Sequence, residues 1–349
     1  MDKIKVLFAV SGTNIGGGET YILRILQHID KERFEVAVAA PSSTLFYRRA
    51  KELAHNMHDI PFMDNADLYS LLKLFYISRK YDVIHANLNR AALFSGVLSK
   101  FSDRFIIGTM HGIDRPFYYR LLPHVILLSR FQSEYFKNIL KKNRMMGVRL
   151  GIDTMSEQPV CKDISNLDML EIGCVGRLHE LKGQDTLIKA LRVINESGID
   201  ARLHLIGDGS ERQHLEDLAE QLCVKDRVVF TGNIVDVAGY LKEHIHIGAF
   251  ATHKENIPVS ILECMSCGIP VIASDVGGIG EEITQKENLI EDFNDHKTFA
   301  TKIIDLYNDH ERYKRISLEN VKIVRRRFDI RPMVRKLERI YEKGSDLHK

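Results

Sequence analysis

The sequence has few cysteines, no long apolar run and almost no net charge. Each of these three features argues against a class of protein. Five cysteines among 349 residues do not suggest a disulfide framework. The 49 basic and 47 acidic residues leave a net charge of +2, which gives no global case for nucleic-acid binding. The apolar runs are of strand length, and the amino terminus has no signal-peptide pattern. We therefore expect a cytoplasmic protein without a transmembrane helix.

What the sequence does contain is an alternation of strand-like and helix-like segments, which predicts an α/β protein with parallel sheets. Strands are expected at residues 4–10, 34–40, 82–86, 105–109, 125–128, 147–150, 170–175, 202–206, 227–230 and 247–251. Helices are expected between them, at 19–28, 44–55, 67–79, 132–141, 184–196, 211–222 and 235–242. Periodicity is lost over residues 151–167, where we place a linker. The length suits two domains, predicted at 1–160 and 161–328, with a helical tail at 329–349.

The most informative stretch holds Glu255 and Glu263, with seven residues between them. Pro258 lies in that gap, and proline is tolerated in the first turn of a helix but not in its interior. We therefore predict a helix that begins near Pro258, with Glu255 in the loop before it and Glu263 on it. A buried strand follows and ends in the turn Gly277-Gly278. A carboxylate, a helix N-terminus and a glycine turn at a strand end predict a site for an anionic, hydroxyl-rich ligand.

This stretch resembles the E-x7-E signature of the retaining, nucleotide-sugar-dependent glycosyltransferases of family 4, which have the GT-B fold. Other segments are similar to motifs of that family and occur in the expected order: Gly176-Arg177-Leu178 with Lys182-Gly183, Leu205-Ile206-Gly207-Asp208-Gly209, and Val229-Phe230-Thr231-Gly232. The resemblance is dense from about residue 171 to residue 282. It implies two Rossmann-like domains facing across a cleft, with a C-terminal helix that crosses back to the first domain.

The resemblance assigns residues of the second domain to the donor. Arg177 and Lys182 would bind the diphosphate and stabilise it as it leaves, since a guanidinium fork and an ammonium both suit phosphate oxygens. Glu263 would accept hydrogen bonds from the ribose diol, and Glu255 would bind a hydroxyl of the donor sugar. Asn256 stands where relatives carry a small residue, so we expect a different sugar pocket. The remaining donor-binding candidates offer backbone N–H groups at the helix start: Ile257, Val259 and Ser260.

The first domain carries the glycine run Gly16-Gly17-Gly18 after its first strand. The spacing differs from the dinucleotide fingerprint G-x-G-x-x-G, which argues against NAD. In the family, a glycine-rich loop here approaches the donor phosphates and the acceptor, so Gly16 and Gly17 are counted as donor-binding. His111 follows the strand at 105–109, and the resemblance gives it a catalytic role facing the donor sugar. A flexible turn and a structural histidine are the alternatives.

Two further patterns bear on cofactors. No Asp-x-Asp occurs in the chain, and that motif holds the divalent metal in sugar transferases of the other main fold. With Arg177 and Lys182 present, its absence predicts transfer without a metal or any other cofactor. Cys264 and Cys267 form a C-x-x-C, which we interpret as packing residues because no second pair completes a metal site.

The resemblance thus implies a retaining glycosyltransferase that moves a sugar from a nucleotide sugar to a sugar hydroxyl. The donor is expected to be a UDP-sugar, the commonest in this family, and the acceptor a glycan or lipid-linked sugar in cell-surface polysaccharide synthesis. A nucleotide-sugar 2-epimerase of the same fold and a non-catalytic sugar-nucleotide-binding relative stay open. The aromatic and basic stretches 117–122 and 131–144 suit either packed helices or a peripheral contact with the inner face of a membrane. Nothing in the sequence determines the oligomeric state.

Overall fold

The computed structural model of the protein describes residues 3–12, 15–113, 115–141, 144–154, 161–165 and 167–346. The chain divides into two compact units. One consists of Met1–Asp153 together with Asp329–Lys349, and the other of Thr154–Phe328. Among the described residues, no helix has both the length and the apolar character that a bilayer-spanning segment needs.

The first unit is built on a seven-stranded sheet in which every neighbouring pair of strands is parallel. Its strands are β1 Ile4–Val10, β2 Phe34–Ala40, β3 Asn56–Asp59, β4 Val83–Asn87, β5 Phe105–Met110, β6 His124–Leu127 and β7 Met145–Gly147. The helices that connect them are α1 Gly17–His28, α2 Leu45–Lys51, α3 Leu68–Ser78, α4 Asn89–Leu98 and α5 Arg130–Phe136. The order β3-β2-β1-β4-β5-β6-β7 reverses beside β1. In such sheets, ligands bind outside the carboxyl ends of the strands at the point of reversal.

The second unit repeats this plan with a six-stranded parallel sheet of order β10-β9-β8-β11-β12-β13. Its strands are β8 Leu170–Val175, β9 Ala201–Ile206, β10 Val228–Gly232, β11 Ile247–Phe250, β12 Val271–Ser274 and β13 Leu289–Ile290. Its helices are α6 Gln184–Glu196, α7 Arg212–Gln221, α8 Val237–His244, α9 Val259–Ser266, α10 Ile279–Glu282, α11 His296–Asn308 and α12 His310–Arg327. The order reverses between β8 and β11, so the carboxyl ends of these two strands mark the expected binding edge.

The last helix, α13 Ile330–Asp346, belongs to the first unit. Its Tyr341 hydroxyl is 2.6 Å from His85 Nδ1, and His85 Nε2 is 2.7 Å from Thr109 Oγ1. The Tyr341 ring also meets the rings of Phe8 and Phe34 edge-on, with centroids 6.4 and 6.1 Å apart. All five side chains are buried. The C-terminal helix therefore completes the core of the first sheet.

The prediction of two Rossmann-like domains with parallel sheets is confirmed, but several elements differ from expectation. Helix α4 was not predicted because six of its ten residues are buried, so that no polar face marks a helical period. The last strand of the first unit is β7, at Met145–Gly147 rather than at 147–150, and helix α5 ends at Phe136 rather than near 141. The short strands β3 and β13 were also missed. Residues 155–160 and 166 of the expected linker lie outside the described residues.

Candidate functional site

The loop after β8 is folded back around a glycine. Residues Glu180–Lys182 form a single 3-10 turn, and Gly183 follows in the left-handed region with φ +62°. A Cβ on Gly183 would lie 2.0 Å from the carbonyl oxygen of Ala251, so this approach requires glycine. The buried amide of Gln184 donates to the carbonyl of Arg177 across 2.9 Å. Arg177 and Lys182 are therefore held in place beyond the carboxyl end of β8.

Lys182 forms an ion pair with Glu255, which lies in the loop between β11 and α9. The two loops are fastened together because Thr252 Oγ1 and the N–H of His253 both donate to the carbonyl of Leu181, each across 2.9 Å. The side chains of Lys182 and Glu255 keep 32% and 21% of their surface exposed, so a ligand can reach both. The structure thus brings a cation and a carboxylate together where the strand order of the second sheet reverses.

The predicted glycine turn after β12 packs against the loop that holds Glu255. Gly277 has φ +60°, and a Cβ on it would lie 1.7 Å from the carbonyl oxygen of Glu255. A Cβ on Gly278 would lie 2.1 Å from the carbonyl oxygen of Asn256. The backbone of Glu255 and Asn256 therefore rests directly on the turn, and no side chain can be added there without moving the loop.

Helix α9 begins directly after Pro258, as the proline predicted. The N–H groups of Val259 and Ser260 belong to its first turn, whose donors have no acceptor within a helix. Ile257 is buried against the unit, and Glu263 lies one turn further along α9 with its side chain half-buried. The positive end of the α9 dipole consequently lies beside the Glu255 loop, a favourable place for an anion.

In the first unit, the glycine run leads into α1. The N–H of Gly16 donates to Glu19 Oε2 across 3.1 Å, which caps the start of the helix. A Cβ on Gly12 would lie 1.7 Å from Glu19 Oε1, and one on Gly18 would lie 2.7 Å from Leu88 Cδ2. None of the described residues would lie within 4 Å of a Cβ on Gly17. Packing thus explains Gly12 and Gly18, whereas no described residue requires glycine at position 17.

His111 lies just beyond β5 and is oriented by an amide. Its Nε2–H donates to Asn87 Oδ1 across 3.1 Å, and Asn87 Nδ2 donates to the carbonyl of His85 across 3.2 Å, which determines how the amide is turned. The Tyr21 ring meets the imidazole edge-on, with centroids 5.1 Å apart. Burial lowers the pKa of His111 to about 4, so the ring is neutral at neutral pH. It can therefore orient a hydroxyl, but it carries no charge there.

Glu282, a buried acid beside the Lys182–Glu255 pair, was not predicted from the sequence as a site residue. Glu282, at the end of α10, is fully buried, and neither carboxyl oxygen has a hydrogen-bond partner among the described residues. Desolvation raises the pKa of Glu282 well above its ordinary value, and the charges of Glu255 and Glu281 raise it further. The signal in the sequence was an acid directly before the apolar Ile283.

The burial of Glu282 predicts a pH-dependent stability. Below its ordinary pKa of 4.5 the carboxyl is neutral in both the folded and the unfolded state, and burial then has no ionisation penalty. As the pH rises, only the unfolded state ionises freely, so folding loses stability until the raised folded pKa is passed. Glu282→Gln removes this loss. We expect it to raise the thermal midpoint at pH 8 more than at pH 5, by about 2–4 °C for each kcal/mol gained.

Differential scanning calorimetry of wild type and variant at the two pH values tests this prediction. Glu291→Gln is the control, because its carboxylate is exposed and is not among the charges that raise the pKa of Glu282. An equal shift at pH 5 and pH 8 would show that ionisation of Glu282 is not the cause.

Among the residues that the structure describes, no group of three or more His, Cys, Asp or Glu side chains is placed to hold a metal ion. Cys264 and Cys267 are buried free thiols, and burial raises the pKa of each. Both pack within the unit. Transfer without a metal stays a prediction.

Two family models match the chain. Glycosyltransferase Family 4 matches residues 15–153, and Glycosyl transferases group 1 matches residues 162–322. The two sheets and the site at the edge of the second one define a GT-B protein of this kind. The chain belongs to the family 4 type of GT-B glycosyltransferases, and the resemblance found in the sequence is confirmed.

Curated relatives match over part of their length. The N-acetyl-alpha-D-glucosaminyl L-malate synthase of Bacillus anthracis is 30% identical over 159 residues, 45% of this chain and 41% of the relative. A GDP-mannose-dependent monoacylated alpha-(1-6)-phosphatidylinositol monomannoside mannosyltransferase of Corynebacterium glutamicum is 30% identical over 146 residues, 40% of this chain and 38% of the relative. The chain spans less than half the length of the curated relatives it matches.

Solved structures show that the GT-B fold extends over nearly the whole chain. The crystal structure of Anabaena Alr3699/HepE in complex with UDP has a TM-score of 0.83 and 20% identity, and the match covers 97% of this chain and 100% of that one. At this identity the likeness establishes the fold alone. The roles of the individual site residues therefore remain predictions.

Proposed function

We propose that the protein is a retaining glycosyltransferase that moves a sugar from a UDP-sugar to a sugar hydroxyl of a glycan or lipid-linked acceptor, in cell-surface polysaccharide synthesis. The observation that carries the proposal is the accessible Lys182–Glu255 pair where the strand order of the second sheet reverses, with Arg177 on the same loop. The choice of UDP is supported by Alr3699/HepE, which has been crystallised with UDP and with UDP-glucose.

In this proposal, Arg177 and Lys182 bind the donor diphosphate, and the Val259 and Ser260 N–H groups add hydrogen bonds at the start of α9. Arg177 is exposed, and no ion pair holds its guanidinium within the described part of the chain. Lys182 must loosen from Glu255 to meet the phosphate. That exchange frees the Glu255 carboxylate to accept a hydrogen bond from the donor sugar. Asn256 and Ile257 line the pocket behind the Glu255 carboxylate, and Glu263 accepts hydrogen bonds from the ribose diol.

The transfer step needs no protein acid or base. A bond forms between the acceptor oxygen and the anomeric carbon on the face from which the phosphate leaves, so the configuration is retained. The bond between that carbon and the phosphate oxygen breaks, and its electron pair stays on the diphosphate. The acceptor proton passes to the departing phosphate oxygen. Arg177 and Lys182 stabilise the charge that develops there, which is electrostatic catalysis without a metal.

The first unit supplies the acceptor side. Gly16, Gly17 and His111 lie near the carboxyl ends of β1 and β5. A cavity of about 400 Å³ opens where the strand order of the first sheet reverses. Its lining is mostly polar: Ser11, Asp64, Asn65, Leu88, Asn89, Arg90, Arg115 and Tyr118. Hydroxyl, amide and guanidinium groups of this kind suit a glycan acceptor.

A thermal-shift panel of UDP, GDP, ADP and their common sugar conjugates tests the donor assignment. A ligand at ten times its dissociation constant adds about 1.4 kcal/mol of stability. We expect UDP and a UDP-sugar to raise the midpoint of wild type, and to raise that of Glu263→Ala much less. A response to GDP alone would change the donor base, whereas no response to any nucleotide would overturn the proposal. Conversion of the sugar nucleotide without an acceptor would identify a 2-epimerase instead.

A further inference from the structure

Helix α3 of the first unit has an outer surface that is apolar where a surface helix is usually polar. Leu68, Tyr69, Leu72 and Tyr76 are 61%, 59%, 59% and 65% exposed. At 100° per residue these four side chains fall within about one third of the helix circumference and form a continuous stripe. We call them the α3 outer face.

The opposite side of α3 accounts for its attachment to the unit. Ser70, Leu74 and Ile77 are buried, and Leu74 and Ile77 belong to the hydrophobic core beside β1 and β4. The core therefore needs only this inner side. The apolar outer face is not required for folding, and exposed apolar stripes of this kind mark contact with another surface.

The charged residues of the segment 68–80 have one sign. Between residues 68 and 80 the chain has Lys73, Arg79 and Lys80 and no aspartate or glutamate. Lys73 Nζ lies 5.2 Å from the centroid of the Tyr69 ring, and Lys80 Nζ lies 5.9 Å from that of Tyr76. Cations are thus interleaved with the exposed aromatic rings along the helix.

We propose that the α3 outer face docks on an anionic lipid bilayer, with α3 lying in the plane of the interface. Leucine side chains would enter the acyl boundary, tyrosines would sit at headgroup level, and the three cations would meet lipid phosphates. At eleven residues α3 is far too short to span a bilayer. Because the segment 68–80 has three cations and no acid, an anionic bilayer fits it better than an apolar groove of another protein or of a second copy.

The position of this face differs from the one expected from the sequence. In the stretch 117–122, Phe117 is 62% exposed but Tyr119 and Leu122 are buried. In the stretch 131–144, Phe136 is buried, and residues 142 and 143 lie outside the described residues. Neither stretch presents a continuous apolar and basic stripe, because its larger side chains are divided between the core and the surface. Among the described helices, only α3 has exposed large apolar side chains on consecutive turns together with basic residues.

A hydrogen bond connects the loop before the α3 outer face with the cavity of the first unit. The loop before α3 holds Asn65, whose amide donates to the hydroxyl of Tyr118 across 3.1 Å, and both residues line the cavity. If the proposed function holds, a lipid-linked acceptor would present its sugar next to the surface on which its lipid lies. The docking itself does not depend on the reaction, so it can be tested without a substrate.

Co-sedimentation with vesicles tests the docking. We expect the protein to bind vesicles of phosphatidylcholine with 30% phosphatidylglycerol, and to bind pure phosphatidylcholine at least about tenfold more weakly. The variant Leu72→Ser/Tyr76→Ser should lose binding to both. The variant Lys73→Glu/Lys80→Glu should lower binding to the anionic vesicles by at least about tenfold. Val235→Ser, which removes an 89% exposed side chain from the second unit, should bind as wild type does.

Three results would overturn the proposal: no binding of wild type to anionic vesicles, equal binding by the α3 variants, or a wild-type dimer in light scattering that Leu72→Ser/Tyr76→Ser converts to a monomer without any vesicle binding. The last would assign the face to contacts between copies. Thermal midpoints and UDP-induced shifts equal to those of wild type will show that the variants are folded. If UDP does not shift the midpoint of wild type, that result counts against the proposed reaction and not against the docking.

Discussion

Lys182→Ala is expected to lower kcat/KM for sugar transfer by about 10²–10³-fold. In the proposed reaction, Lys182 stabilises a diphosphate whose charge grows as the bond to the sugar breaks, and a cation aimed at developing charge acts mainly on the transition state. The loss should therefore lie mostly in kcat. The measurement is the initial rate of UDP release from the UDP-sugar that the thermal-shift panel identifies, with acceptor present.

Lys189→Ala is the matched control. Lys189 pairs with Asp185 on α6 across 2.9 Å and is 40% exposed, so it resembles Lys182 in charge, pairing and solvent contact. Its removal should leave the rate unchanged, because exposed pairs contribute little. Glu255→Gln separates the two members of the site pair, since it frees Lys182 while keeping a hydrogen-bonding side chain. Full activity of Lys182→Ala would remove the diphosphate assignment.

Gly277→Ala is expected to destabilise the second unit by about 2–5 kcal/mol and to weaken UDP-sugar binding. Two costs add: the left-handed backbone at φ +60° disfavours a Cβ, and that Cβ would lie 1.7 Å from the carbonyl oxygen of Glu255. Since this neighbour is backbone, the whole Glu255–Asn256 loop must move. Urea unfolding followed by circular dichroism measures the stability, and titration calorimetry measures the affinity for the donor.

Gly198→Ala is the control that measures the cost of the positive φ alone, without a contact such as the one between Gly277 and Glu255. Gly198 also has positive φ, at +90°, but a Cβ there would meet none of the described residues within 4 Å. It follows α6, before the amino end of β9, on the edge of the sheet away from the site. We expect a loss of about 1–2 kcal/mol with unchanged donor affinity. Equal losses of affinity in both variants would show that the Gly277 contact does not position the loop.

The parts of the site that could be predicted are those where one residue type is compatible with a single local structure. Proline at position 258 placed the start of α9, and the pair Gly277-Gly278 placed a turn at a strand end; both lie where expected. The Lys182–Glu255 contact joins loops 73 residues apart, and no local pattern encodes such a pairing. The same holds for Asn87 beneath His111. Glu282 was missed for a different reason, because an acidic side chain normally lies in solvent.

The fold was predictable where a strand is apolar and bounded by turns, as β2 is at Phe34–Ala40. It was least predictable where both faces of an element are covered. Helix α4 has no polar stripe, so its sequence shows no helical period although it packs as a helix. The outer face of α3 is the opposite case, because its apolar residues continue around the helix into solvent, and the sequence alone does not tell which side is buried.

The return of α13 to the first unit determines the order in which the chain can fold during synthesis. All residues of the second unit, up to Phe328, have been made before Ile330–Asp346 emerges. Until then the rings of Phe8 and Phe34 lack Tyr341 as their cover, and His85 lacks one of its hydrogen-bond partners. The half of the protein that leaves the ribosome first is thus the half that is finished last. A chain that ends before residue 329 would carry a complete second unit attached to a first unit whose core is uncovered and prone to aggregation, which gives quality-control proteases a clear mark of incomplete synthesis.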